Sequence, residues 1–136
     1  MDVAEALDFV RHHHRGVLAT RRADGRPQLS VVVAAVDDAG RVVVSTREPA
    51  MKTRNARRDP AVSLLVLTDA FFGPWVQLDG TATVLSLPDA MEPLVDYYRR
   101  ISGEHPDWDD YRAAMARDRR VVLQIRVERA GPNRAG

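Results

Sequence analysis

The residues with the clearest chemical potential lie between Ser45 and Arg58, where hydroxyl and cationic side chains crowd a predicted strand end and helix start. Lys52 is the only lysine among 20 basic residues, and it falls in the first turns of that helix. The positive end of the helix dipole opposes a cation there, whereas a bound anion would attract both the ammonium group and the free helix amides. The pattern therefore fits a phosphate site, with Ser45 and Thr46 as neutral donors. A solvated basic helix face fits the same residues, and the pattern alone leaves both interpretations open.

Other kinds of site find little support in the sequence. Three consecutive histidines, His12 to His14, would point in different directions on a helix, so we expect no metal site there. Ser30 and Ser45 lie outside a Gly-x-Ser-x-Gly turn, and the chain has neither a cysteine nor a glycine-rich phosphate loop. His105 stands alone in a predicted turn and is expected to be structural. The sequence therefore predicts no metal and names no catalytic side chain.

The composition and charge of the chain argue against several classes of binding partner. The net charge is +1, from 20 basic and 19 acidic side chains, which argues against a general nucleic-acid binder. The 136 residues fit one domain, 1–136, with a core at about 5–127 and a loose tail over 129–136. The first residues lack a signal-peptide pattern, and no run approaches the roughly 20 apolar residues of a membrane span. We therefore expect a cytoplasmic protein with a small-molecule substrate and no nucleic-acid or membrane partner.

The spacing of apolar residues predicts four helices and six strands. Asp2 is expected to cap a first helix that ends near His13, with Glu5 three residues after the cap. The apolar run Leu29–Val36 predicts a strand buried on both faces. Trp75, which opens another strand, fits either a pocket wall over a planar ring or packing in a core or interface. The remaining predicted helices cover 49–58, 88–102 and a segment capped by Asp107, and the strands cover 16–22, 29–36, 41–46, 61–67, 75–84 and 121–127.

This order of elements predicts an α+β domain that is mainly β, with six antiparallel strands in a small barrel and helices at its periphery. Periodicity alone does not separate a barrel from a sandwich. Gly80 lies on the apolar face of its strand, which predicts a β-bulge or the close approach of another backbone.

Several segments resemble the pyridoxamine 5′-phosphate oxidase-like split β-barrel superfamily, and most closely its actinobacterial branch of F420-dependent oxidoreductases. The resemblance covers about residues 5–127. Segments 16–20 and 24–30 are shared loosely across the superfamily. Segments 52–60 and 103–112 point to the deazaflavin branch.

The resemblance implies an FMN-binding split-barrel type of fold and a homodimer with two cofactor sites between the subunits. It implies that residues near Gln28 border the ring, that Ser45, Thr46 and the 52–54 segment hold the ribityl chain and phosphate, and that an aromatic residue like Trp75 closes the pocket, often from the partner. The residues expected to bind the cofactor are Gln28, Leu29, Ser30, Ser45, Thr46, Pro49, Met51, Lys52, Thr53, Arg54, Asn55, Arg58 and Trp75.

The implied activity is hydride transfer from reduced coenzyme F420 to a small unsaturated or planar organic substrate, with the cofactor supplying the reactive atom. FMN is the alternative cofactor, because the two share a ring and a ribityl phosphate. F420 carries an additional anionic tail, which Arg54, Arg57 and Arg58 could meet. A third hypothesis is a protein that binds the cofactor without catalysis. The chain lacks the C-terminal Arg-x-His motif of true pyridoxamine phosphate oxidases, so oxidation of that vitamin is not expected.

Overall fold

The computed structural model describes residues 1–132 and shows six antiparallel strands closed into a barrel, with four helices around it. The strand order around the barrel is β1-β2-β3-β6-β5-β4. The predicted six-stranded antiparallel barrel is thus confirmed, and closure excludes the sandwich. The elements are α1 (Val3–His12), β1 (Arg15–Arg21), β2 (Pro27–Val36), β3 (Val42–Arg47), α2 (Met51–Arg58), β4 (Ala61–Leu67), β5 (Trp75–Leu85), α3 (Met91–Ser102), α4 (Trp108–Arg117) and β6 (Arg120–Gly131).

The barrel interior is filled by the inward-facing members of alternating strand positions. Leu18, Leu64, Leu78 and Leu123 are all fully buried there, at no more than 2% exposure. The barrel also needs a glycine where β5 meets β6. The predicted bulge is confirmed between Asp79 and Gly80, and a Cβ atom at Gly80 would overlap a carbonyl oxygen of β6.

A second apolar cluster lies outside the barrel, where α3 and α4 cover part of its wall. Leu94, Val95 and Tyr111 of these helices pack against Val43 and Val122 of the sheet, among other residues. Since only part of the wall is covered, burial of the strands differs along their length. The helices hold one end of β2, β3 and β6 in place, and this end borders the groove described below.

Burial of β2 differs from the prediction. Only its last three residues, 34–36, are buried on both faces. Before them, the outward side chains Leu29 and Val31 are 63% and 87% exposed, and Val33 is also exposed. The two-sided burial predicted for 29–36 is therefore limited to the end of the strand.

Three predicted boundaries also move. Helix α2 begins at Met51 rather than residue 49, because Pro49 lies in the preceding turn and Ala50 is the N-cap. Helix α3 begins at Met91 rather than 88, after a turn. The predicted loose tail is wrong for residues 129–131, which pair with Gln77–Asp79 of β5 because that long strand offers them free backbone groups. The rest of the predicted tail, 133–136, lies outside the described residues.

Both predicted helix caps are present. The Asp2 carboxylate accepts a hydrogen bond from the Glu5 amide at 2.8 Å, and the Asp107 carboxylate accepts one from the Asp110 amide at 3.1 Å. Within residues 1–132, every helix is too short or too polar to cross a membrane.

Replacing Gly80 should destabilise the barrel. We expect Gly80→Ala to lower the free energy of unfolding by about 1–3 kcal/mol, because the new methyl group overlaps the carbonyl oxygen of Arg126. Thr83→Ala, at an exposed position of the same strand, should change it by less than about 0.5 kcal/mol. Urea denaturation of both variants measures the difference, and equal stabilities would contradict the close approach of the two strands.

Candidate functional site

An open groove of about 740 Å³ lies where the middle of β2, the end of β3 and the start of β6 meet helices α3 and α4. It contains three of the residues predicted from the sequence, Ser45, Thr46 and Lys52, on one continuous surface. The groove therefore joins the strand end and the first turn of α2, as the phosphate hypothesis requires. Its lining consists of Val31, Val32, Val33, Ser45, Thr46, Arg47, Ala50, Lys52, Tyr97, Tyr98, Tyr111, Met115 and Arg120.

Hydrogen bonds to the barrel fix the orientation of α2. The buried Thr53 hydroxyl donates to the Arg47 carbonyl at 2.7 Å, so the first turn of the helix is tied to the end of β3. The buried Asn55 amide donates to the Thr20 hydroxyl of β1 at 3.2 Å, and Arg58 donates to the Asn55 side chain at 3.1 Å. Thr53 and Asn55 thus face the protein, Arg58 is exposed at the end of α2, and none of the three lines the groove.

The turn before α2 is held by an ion pair. Arg57 donates to both carboxylate oxygens of Glu48, at 2.7 and 2.8 Å, and Ser86 donates to the same carboxylate at 2.6 Å. The hydrogen bonds from Arg57 and then Ser86 lower the pKa of Glu48 from 4.5 to about 2. Because Glu48 precedes Lys52 by four residues, this contact holds the turn that carries the lysine into the groove.

Lys52 has no hydrogen-bond or ion-pair partner among the described residues. Burial lowers the pKa of its ammonium group, and the nearby positive charge of Arg120 lowers it further. Arg120 is the first residue of β6, and its Nε is buried without a hydrogen-bond acceptor in the described part of the chain. The groove therefore presents positive charge and free donors and would favour an anion.

The other side of the groove is aromatic. The Tyr97 hydroxyl donates to the Val33 carbonyl at 2.8 Å, and burial raises the pKa of this phenol. The Tyr111 hydroxyl donates to the Leu94 carbonyl at 2.8 Å, and burial raises its pKa to about 12. Both phenols are therefore neutral at physiological pH, and their hydroxyls are already engaged. His105 packs against the Tyr111 ring, with centroids 5.5 Å apart, which fits a structural role.

The other predicted cofactor residues lie elsewhere in this single chain. Gln28 and Leu29 are on the exposed half of β2, where the Gln28 side chain accepts from Arg22 at 3.1 Å, and Ser30 follows them. Trp75 is 36% exposed and lines a separate cavity of about 260 Å³ with Gln77, Arg129 and others. The groove lining also excludes Pro49, Met51 and Arg54, which lie in the preceding turn or on the exposed side of α2.

The groove residues that come from β6, α3 and α4 were not predicted from the sequence. Arg120 and Tyr97 stand far from the 45–58 segment in sequence, and neither belongs to a motif. The β3–β6 register, which sets Arg47 opposite Arg120, is what brings Arg120 to the groove. A register of this kind is not readable from periodicity. Within residues 1–132, no group of three or more histidine, cysteine or acidic side chains could hold a metal ion.

Comparison with known proteins gives the chain a family context. The family model described as pyridoxamine 5′-phosphate oxidase matches residues 3–133. The F420H2-dependent biliverdin reductase of Mycobacterium tuberculosis (strain CDC 1551 / Oshkosh) is 31% identical over 127 residues, which are 92% of this chain and 83% of that protein.

Solved structures agree with the fold. A conserved hypothetical protein from Mycobacterium tuberculosis has a TM-score of 0.77 at 31% identity, over 96% of this chain and 82% of that one. A protein described as an F420 reductase has a TM-score of 0.69 at 22% identity, over 91% and 94% of the two chains, and supports the fold alone. Heme-binding proteins share the fold too, so the fold by itself does not select a cofactor.

The ion pair of Glu48 predicts a pH-dependent contribution to stability. Because the pKa of Glu48 is about 2 in the folded protein and its ordinary value is 4.5, the stabilisation is present above pH 4.5 and is lost as the pH falls toward 2. Wild type should therefore lose about 1 kcal/mol more than Glu48→Gln between pH 6 and pH 3, a modest amount because solvent screens the pair.

Urea denaturation at several pH values measures this effect. Asp69→Asn, which removes a carboxylate that is 91% exposed, is the control and should keep the wild-type pH dependence. An identical pH dependence of wild type and Glu48→Gln would show that the pair does not stabilise the turn.

Proposed function

Because the chain belongs to the pyridoxamine 5′-phosphate oxidase family, we propose that it is an F420-dependent oxidoreductase acting on a small unsaturated or planar organic substrate. The observation that carries the proposal is the 31% identity over 92% of the chain to a reductase that uses F420H2. The groove adds support, since its described lining combines cations that pair with no described carboxylate, the hydroxyl of Ser45 and an aromatic wall.

The residues present fit the phosphorylated ribityl chain of such a cofactor. Lys52 and Ser45 line one surface of the groove, and no carboxylate of residues 1–132 lines it. Thr46 adjoins them but is buried, and its hydroxyl accepts a hydrogen bond from the Thr53 hydroxyl at 3.5 Å. A phosphate there would give the half-buried ammonium group a partner and offset its burial. When bound, the reduced deazaflavin would supply the hydride, and the protein would supply its orientation. The tyrosine wall would line one side of the bound cofactor, where the hydroxyls of Tyr97 and Tyr111 are already engaged with backbone carbonyls.

We further propose that the enzyme is a homodimer, and the exposed outer face of β2 supports this. Leu29, Val31 and Val33 form an apolar strip that no described helix covers, and exposed apolar strips of this kind mark interfaces. In a dimer built on this face, Gln28, Leu29 and Ser30 would lie at the subunit boundary. Trp75 could then contribute from the partner, which would account for its distance from the groove in a single chain.

Disrupting the strip should separate the subunits. We expect Val31→Asp to weaken the dimer by about a hundredfold or more, because the interface would bury an unpaired carboxylate. The matched control is Thr83→Asp, at an exposed position on β5 outside the strip. Sedimentation velocity over a range of concentrations gives the dissociation constants, and a monomeric wild type would refute the dimer.

FMN is the second candidate cofactor, and the family match itself favours testing it, since the family is described as an oxidase rather than by F420. The purified protein without cofactor should be titrated with F420 and with FMN, with binding followed by ring fluorescence. Tighter binding of F420 supports the proposal, and tighter binding of FMN assigns the chain to flavin chemistry. Turnover of reduced F420 with biliverdin as the first acceptor then separates an enzyme from a protein that only binds the cofactor.

Removing the ammonium group should weaken cofactor binding. We expect Lys52→Ala to reduce F420 affinity by about tenfold to a hundredfold, the equivalent of roughly 1.5–3 kcal/mol for a hydrogen bond to a charged group. Arg117→Gln, an equal loss of charge at the exposed end of α4, should leave the affinity within about twofold. Unchanged affinity in Lys52→Ala would place the phosphate somewhere else.

A further inference from the structure

Among residues 1–132, three cationic side chains line the groove, and no carboxylate does. Arg47 and Arg120 are direct cross-strand partners on β3 and β6, and Lys52 reaches the same groove from α2. Like charges placed opposite each other on neighbouring strands destabilise a sheet. An arrangement that is unfavourable in the isolated chain becomes favourable once an anion lies between the cations.

The clearest sign of a missing partner is at Arg120. Its Nε is buried, and no described residue offers it an acceptor. Buried donors are nearly always hydrogen-bonded in native proteins, because an unsatisfied one carries the full cost of desolvation. The donor therefore indicates a ligand atom that accepts a hydrogen bond at this position.

The carboxylate in an adjoining cavity already has its hydrogen-bond partners. Arg120 also lines a smaller neighbouring cavity with Glu48 and Ser86. However, the Glu48 carboxylate accepts its hydrogen bonds from Arg57 and Ser86, and none from Arg120.

The backbone before Arg120 is also fixed. Arg119 has a φ of 54°, in the left-handed region that non-glycine residues seldom adopt. Its carbonyl accepts a hydrogen bond from the Glu48 amide at 2.9 Å, which ties the start of β6 to the turn before α2. The same turn carries Lys52, so Lys52 and Arg120 are held in a constant relation.

We propose that Arg120 is a second phosphoryl-binding residue, whose Nε donates to an oxygen of the same phosphoryl group that Lys52 binds. A guanidinium group has a fixed fork of donors that matches phosphoryl oxygens, whereas an ammonium group acts as a point charge. The identity of the cofactor rests on the proposed function. The phosphoryl site rests only on the groove, and FMN and F420 both carry this group.

Pairs of ligands that differ in the phosphoryl group isolate its contribution. FMN is compared with riboflavin, and F420 with the deazaflavin ribityl alcohol that lacks the phosphate and tail. In each pair we divide the dissociation constant of the phosphate-free ligand by that of the phosphorylated ligand. This ratio reports binding through the phosphorylated part. We expect Arg120→Gln to reduce this ratio by about tenfold to a hundredfold and to leave the affinity for the phosphate-free ligand within about twofold. Arg120→Lys should recover part of the loss, because it restores the charge without the Nε donor.

Arg117→Gln is the matched control, since it removes an arginine three residues away that lies outside the groove. A purely structural role for Arg120 would weaken both members of a pair equally and leave the ratio unchanged. That result would overturn the inference, as would an unchanged ratio with unchanged affinities.

A third arm separates this inference from the proposed function. Pyrophosphate carries no ring, so its effect on the melting temperature tests the anion site alone. If F420 fails to bind and FMN binds, the proposed cofactor is wrong and the FMN pair decides the role of Arg120. If neither cofactor binds, the pyrophosphate measurement decides. The anion site is supported if pyrophosphate raises the melting temperature of wild type and Arg117→Gln but not that of Arg120→Gln. Equal stabilisation of all three proteins, or of none, contradicts it.

Discussion

Pairing between β3 and β6 closes the barrel, and the candidate site depends on this closure more than on any other contact. The six residue pairs from Val42 with Ile125 to Arg47 with Arg120 join strands that lie more than 70 positions apart in the chain. They set the end of β3, which carries Ser45 and Thr46, beside the first residue of β6. The turn before α2 is then fastened to the same place by a backbone hydrogen bond to Arg119. Loss of this pairing would open the barrel and would also separate the β3 side of the groove from its β6 side.

The distribution of charge shows how the groove differs from the rest of the surface. Elsewhere many arginines are paired with acids, as in the contacts of Arg100 with Asp96 and Asp38 and of Arg112 with Glu92. In the groove, Lys52 and Arg120 have no acidic partner among the described residues. Stability alone would favour neutralising them, because half-buried cations without partners are costly. Their retention is what a protein needs when a ligand supplies the negative charge.

A similar trade-off explains the outer face of β2. The strand is apolar on both sides along most of its length, but α3 and α4 cover only its second half. In the free chain the first half leaves large apolar groups in water, which lowers solubility and gains nothing for the fold. The proposed dimer would bury them, and it would also bring the β2 residues that the family resemblance implicates to a subunit boundary near the groove.

The sequence by itself determined the parts of this protein that depend on local periodicity and turn chemistry. Alternation and short apolar runs between turns located the six strands, and the side chains of Asp2 and Asp107 marked two helix starts, because these signals act over a few neighbouring residues. The 45–58 segment identified part of the groove for the same reason. The boundaries that failed, at residues 49, 88 and 129, were those where contacts with distant strands or the conformation of a turn decide where an element begins or ends.

Only the tertiary structure decided what stands beside Lys52. Arg120 reaches the groove through the register of β3 with β6, and Tyr97 reaches it through the packing of α3 on the barrel wall. The tertiary structure also turned Thr53 and Asn55 inward to anchor α2, although by type they suit ligand binding equally well. Local patterns carry no information on which distant strand will pair or in what register. The physical reason is that register is selected by the packing of the whole core, whose members come from every part of the chain.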